Sequence, residues 1–115
     1  MRPIAPLVSA DATIEAALKS CSVACKEAVA YYLSAEEAAQ SEFGRCLLRA
    51  AAAIDAAAGA LNADTDQRSA TLAIAAPVCR AAAARCRRGG LDAPLLKAAA
   101  ACERAATICE RRLST

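Results

Sequence analysis

The sequence predicts an all-α protein, folded as an antiparallel up-down-up-down four-helix bundle. Three observations carry this prediction. The chain of 115 residues is 57% hydrophobic but holds only Tyr31, Tyr32 and Phe43 as aromatics. Much of its apolar content is alanine, the best helix former because it loses no side-chain entropy on ordering. Apolar residues recur at steps of three and four, the inward stripe of a bundle, and strand formers never alternate over a useful length.

The length fits one domain spanning residues 1–115 with a single thin core of small side chains. Residues 1–8, Met1-Arg2-Pro3-Ile4-Ala5-Pro6-Leu7-Val8, read as a proline-containing tail. A first helix is predicted over about 10–33, with the stripe Ile14, Leu18, Cys21, Cys25, Ala28 and Tyr32. Ser34-Ala35-Glu36-Glu37 is a capping box, in which serine caps backbone amides and Glu37 reaches back. It opens a second helix over 35–61, with Phe43, Cys46, Ala50, Ala53 and Ala57 inward.

Asn62-Ala63-Asp64 breaks the pattern, and Asp64 with Gln67 makes a second box-like start. The third helix, 65–88, turns Leu72, Ala75, Cys79, Ala82 and Cys86 inward. Pro77 lies inside it, frees the carbonyl of Ala73 and should bend the helix. That bend reads either as a tolerated kink or as a feature shaping a site beside Cys79. Gly89-Gly90 ends the helix, because glycine accepts a left-handed conformation there. Asp92 caps the fourth helix, 93–113, and Pro94 falls in its first turn, where a missing amide costs little. Its stripe is Leu95, Ala98, Cys102, Ala105 and Cys109.

All seven cysteines fall on these stripes, in a chain without histidine. Short connections favour antiparallel neighbours, so each turn fixes which residues share a height. By that rule Cys25, Cys46, Cys79 and Cys102 form one layer, one from each helix. Cys21 lies one turn from Cys25. Cys86 moves toward the third turn, beside Leu95, and Cys109 toward the opposite end, near Leu72. All seven are candidate metal ligands.

Thiolates are soft donors and select Cu(I), Zn or Fe–S over hard ions. Cu(I) accepts two or three thiolates and shares sulfurs between ions. Zn wants a tetrahedral set, and neither the C-x2-C zinc spacing nor clustered Fe–S runs are present. Both absences lower Zn and Fe–S relative to Cu(I) without excluding either, so Cu(I), Zn and no metal at all stay open on spacing alone. The competing reading treats cysteine as a small buried hydrophobe filling an alanine-lined core. The chain would then be a metal-free helical scaffold or protein-interaction module.

Other classes fit poorly. Net charge is +2, spread as five basic and seven acidic side chains over residues 1–58 and nine and five over 59–115. The arginines of the second half have no interleaved aromatics, so nucleic-acid stacking has no platform. They read as a solvated face or as a docking patch for an anionic partner. The apolar run at the N-terminus is too short for a secretory signal. Charges interrupt every apolar run before the ~20 residues a membrane span needs. A cytoplasmic protein with reduced thiols is expected, and the odd cysteine count argues against a full disulfide framework. No histidine can serve as a base, and Asp55 and Glu103 lie off the stripes, so no enzyme is expected. Association into a homo-oligomer is left open.

Several segments carry a family resemblance. They are Cys21-Ser22-Val23-Ala24-Cys25, Arg45-Cys46-Leu47-Leu48-Arg49, the matching pairs Cys79/Cys86 and Cys102/Cys109, and the ending Cys109-Glu110-Arg111-Arg112-Leu113. Over residues 12–113 the chain resembles the cysteine-rich four-helix-bundle family that includes bacterial copper storage proteins. The resemblance implies cytosolic copper binding or buffering, with Cu(I) held inside the bundle and no organic cofactor. The chain departs from the family pattern at Ala53, Ala57, Ala75, Ala82, Ala98 and Ala105, where cysteine would stand. It also lacks the histidines that often accompany the bundle mouth, and Met1 is its only methionine. The resemblance thus implies a reduced site, or a relative that kept the scaffold without the metal.

Overall fold

A computed structural model of the protein describes residues 4–61 and 65–114, with side chains described over 12–61 and 67–114. Its regular elements are all helices: α1 (Ile4–Tyr32), α2 (Ala35–Gln40), α3 (Glu42–Ala60), α4 (Thr65–Gly89) and α5 (Ala93–Ser114). No strand occurs among the described residues. α1 packs against α3 and α5, and α4 packs against the same two. The long axis is 49 Å. A helix of 29 residues such as α1 spans roughly 44 Å of that at 1.5 Å per residue.

α1 starts at Ile4, so the tail expected over residues 1–8 is already helical from that point. Pro6 does not prevent this. It falls in the first turn, where its absent N–H would have had no partner within the helix. Residues 1–3 lie outside the described residues, as do the break at 62–64 and the box-like start at Asp64.

The capping box at Ser34 forms. The Ser34 hydroxyl accepts from the Glu37 N–H at 3.1 Å, and Glu37 accepts from the Ser34 N–H at 2.8 Å. These bonds hold the Glu37 carboxyl below the usual carboxylate range. The single helix expected over 35–61 is nevertheless two helices. Ser41 is extended (φ −88°, ψ 137°) and serves both. Its N–H donates to the Glu37 carbonyl, ending α2, and its hydroxyl accepts from the Gly44 N–H, starting α3.

The break at Ser41 is accompanied by a change of phase. α3 buries Gly44, Leu47, Ala51, Ile54, Ala57 and Ala58. Of the expected stripe of Phe43, Cys46, Ala50, Ala53 and Ala57, Ala57 alone is buried, and Phe43 and Ala50 are partly buried against the core. One residue of rotation is about 100° around a helix. Turning Leu47 and Ile54 inward wins because burying each such side chain stabilises by roughly 1.5–3 kcal/mol, more than a cysteine and an alanine offer.

The other stripes largely match. α1 buries Ile14, Leu18, Cys21, Cys25 and Ala28, with Tyr32 exposed at its end. α4 buries Leu72, Ala75, Cys79, Ala82 and Cys86, and α5 buries Leu95, Ala98, Cys102, Ala105 and Cys109. Pro77 sits inside α4 without ending it. Both Pro77 and Ala73 are exposed, so the freed carbonyl is within reach of water. After Gly89 the chain turns at Gly90, whose φ of 139° favours glycine. α5 begins directly after Asp92, whose carbonyl accepts from the Leu96 N–H. The Asp92 carboxylate accepts from the Tyr32 hydroxyl at 2.7 Å, joining the ends of α1 and α5.

Exposed ion pairs join neighbouring helices. Arg80 forks onto Glu110 and Arg87 onto Glu103, each with two hydrogen bonds between α4 and α5. Lys26 meets Asp55 between α1 and α3 at 2.8 Å. Part of the arginine-rich exterior is thus spent on internal ion pairs. Among the described residues, no helix is long and apolar enough to cross a membrane.

Candidate metal centre

Three helices bring sulfurs together. Cys21 and Cys25 are four residues apart on α1, so they lie on one face, one turn apart. Cys102 reaches them from α5. Its sulfur is 2.7 Å from that of Cys21 and 3.4 Å from that of Cys25. Among the described residues these form the group of three potential ligands whose donor atoms all lie within 4.8 Å of one another. All three are fully buried.

The small residues around them permit this closeness. Ala24 and Ala28 on α1 and Ala98, Ala99, Ala105 and Ala106 on α5 are buried. Bulkier side chains would hold the two helices apart. Two further sulfurs extend the group from α4. Cys79 interacts with Cys21, and Cys86 with Cys25. The order of interaction is therefore Cys79, Cys21, Cys102, Cys25, Cys86.

This arrangement corrects the layer inferred from turn positions. Cys46 does not join the group: it is half-buried on α3, rotated off the inward face by the phase that Leu47 and Ile54 set. α3 thus contributes no sulfur to it. Cys21, placed beside the layer, is at its centre. Cys86, placed apart, interacts with Cys25 without joining the three-sulfur group. Cys109 is buried but outside the group, as expected for the far end of α5. Turn positions fix heights only to about a helical turn, and Cys102 settles between Cys21 and Cys25 rather than level with one of them.

Protonation follows the contacts. Cys102 accepts hydrogen bonds from Cys21 and Cys25, which hold its thiol well below the usual range, at about 5, against the opposing effect of burial. Cys21 is pushed far up, first by its bond to Cys102, then by those to Cys25 and Cys79. Its bond to Cys79 lowers the Cys79 thiol, and nearby Arg80 adds to that. Cys86 is raised by its bond to Cys25 and by burial. Cys109 is raised to about 11, chiefly by burial.

The group can therefore carry a thiolate whose charge is shared through neighbouring S–H donors. Further ionisation would gather like charges in a dry interior, which is costly unless a cation arrives. The donor set is all sulfur, with no carboxylate in it and no histidine in the chain. Such a set fits a soft monovalent ion of low coordination number. A tetrahedral Zn site needs a fourth ligand at the same point, and the three-sulfur group does not include one.

A family model described as copper storage protein matches residues 8–114, nearly the whole chain. Comparison with curated proteins and with solved structures gives no match.

Proposed function

Because the chain belongs to the copper storage protein family, we propose that it binds Cu(I) through the buried sulfurs of Cys21, Cys25 and Cys102, with Cys79 and Cys86 as flanking ligands. The observation that carries this is the meeting of three buried sulfurs from two helices within 4.8 Å. Copper is cargo here, and the protein is a non-enzymatic, low-capacity buffer of the cytoplasm. Its scaffold is an up-down-up-down four-helix bundle, supported by the packing of α1 and α4 each against both α3 and α5. Low capacity follows from the buried alanines Ala75, Ala82, Ala98 and Ala105, which leave gaps between the sulfurs along α4 and α5.

The same alanines favour a second reading, a metal-free scaffold in which the cysteines only pack. An anaerobic titration of the fully reduced protein with Cu(I), against a competing chelator, separates the two. Tight binding that is lost on Cys21→Ser and Cys102→Ser substitution supports the copper reading. Absence of tight binding in the parent protein ends it.

A further inference from the structure

The approach of Cys21 to Cys102 is closer than ion binding requires. Their sulfurs are 2.7 Å apart, well inside the separation at which two unbonded sulfurs rest. A disulfide needs about 2.05 Å, so the remaining gap is roughly 0.7 Å. Cys25 lies 3.4 Å from Cys102, on the same helix face as Cys21. All three are free thiols, with Cys21 and Cys102 placed close enough to bridge and Cys25 placed to exchange.

We infer that Cys21 and Cys102 are a modification site, oxidised by small hydroperoxides to a reversible disulfide that excludes metal. The first step consumes one hydroperoxide: the Cys102 thiol and hydrogen peroxide give a sulfenic acid and water. The Cys21 thiol then attacks that sulfur, forming the S–S bond and releasing a second water. Two thiols lose two electrons in all, and the peroxide O–O bond takes them. Cys25 can attack the Cys102 sulfur in turn, forming a Cys25–Cys102 bridge and returning Cys21 to a thiol. An external thiol reductant restores the starting state by the same exchange.

Burial selects the oxidant. All three sulfurs have no exposed surface, so a water-sized peroxide can enter through local opening of the helices, whereas a bulky reagent meets half-buried Cys46 first. A disulfide sulfur is no longer a thiolate, so the bridged form lacks two of the three ligands in the centre. The exclusion of metal rests on the copper reading above, while the bridge itself does not.

The test treats reduced, metal-free protein with hydrogen peroxide, alkylates the remaining thiols after denaturation and maps tryptic peptides by mass. Residues 20–26 and 98–104 are released as separate peptides and hold Cys21, Cys25 and Cys102. They are expected to become linked in the parent, in Cys25→Ser and in Cys46→Ser. The link should disappear in Cys102→Ser, with circular dichroism confirming that this variant stays helical. A parent protein in which Cys102 remains fully alkylatable, or whose main product is a Cys46 link between two copies, overturns the inference. The bridged protein is expected to lose at least tenfold in Cu(I) affinity relative to the reduced form, and equal affinity overturns the exclusion. If the reduced form binds no copper, the peptide map still decides the bridge.

Discussion

The sulfur of Cys102 on α5 accepts a hydrogen bond from that of Cys21 on α1, 2.7 Å away, and the two thiols are shifted in opposite directions. Cys102 falls to about 5 as the acceptor, and Cys21 is raised as the donor. An ion that takes both sulfurs must displace the protons they still hold. Near neutral pH that is one proton, the one on Cys21. Affinity for Cu(I) should therefore fall by at least about tenfold for each pH unit lowered, and by more where the ion also displaces the proton that Cys25 donates to Cys102. The fall should be steeper still below about 5, where Cys102 also takes up a proton. Competition titrations at several pH values, corrected for protonation of the chelator, measure this slope. A flat profile would contradict the assignment of these two sulfurs as ligands.

Single cysteine substitutions should divide by position. Cys102→Ser removes the sulfur that contacts both α1 ligands, and should weaken Cu(I) binding by about a hundredfold or more, since losing even an outer-shell partner of a ligand costs about 10–100-fold. Cys46→Ser changes a half-buried residue outside the group and should leave affinity within about twofold. Cys109→Ser should resemble Cys46→Ser in binding. Equal losses for Cys46 and Cys102 would mean that α3 turns its sulfur inward when metal is present.

Most of the helices and three of the four inward stripes are legible in the sequence, because they run without interruption between clear signals. Gly89-Gly90 and the Ser34 box mark ends by local backbone chemistry, which sequence reports directly. The stripe of α3 is not legible by continuing a count from the capping box, because Ser41 restarts the helix after six residues of α2. One signal was available: Leu47 and Ile54 are seven residues apart and outrank Cys46 and Ala53 in apolar surface. The membership of the sulfur group was less accessible. All seven cysteines stood as candidates, but contact depends on the stagger of α1 against α5, a property of packed side chains rather than of any local segment.

The phase of α3 can be tested by stability. Leu47 and Ile54 are fully buried, whereas Ala53 and Ala56 are exposed on the same helix. Leu47→Ala and Ile54→Ala should each destabilise by about 2–5 kcal/mol through lost burial and the cavity left behind. Ala53→Ser should stay within about 0.5 kcal/mol. Urea denaturation of the reduced protein, followed by circular dichroism, gives the comparison. If Ala53→Ser proved as costly as Leu47→Ala, the helix would be rotated from the face described.

Two glycines on α3 should respond to alanine with opposite signs. Alanine gains roughly 0.5–1 kcal/mol over glycine in a helix, because glycine loses more backbone freedom on folding. At Gly59 nothing lies within 4 Å of an added Cβ, so Gly59→Ala should collect some of that gain, less where the end of the helix frays. At Gly44 an added Cβ would sit 2.5 Å from the Ala38 carbonyl oxygen and 2.7 Å from the Ala38 Cα. Those are backbone atoms of α2, which cannot swing aside as a side chain would. Overpacking of this kind costs about 1–3 kcal/mol, which exceeds the helix gain. Gly44→Ala should therefore lower the urea midpoint while Gly59→Ala raises it. The loss at Gly44 arises where Ser41 folds α2 back on α3, so a stabilising Gly44→Ala would mean that the two helices do not make this close approach.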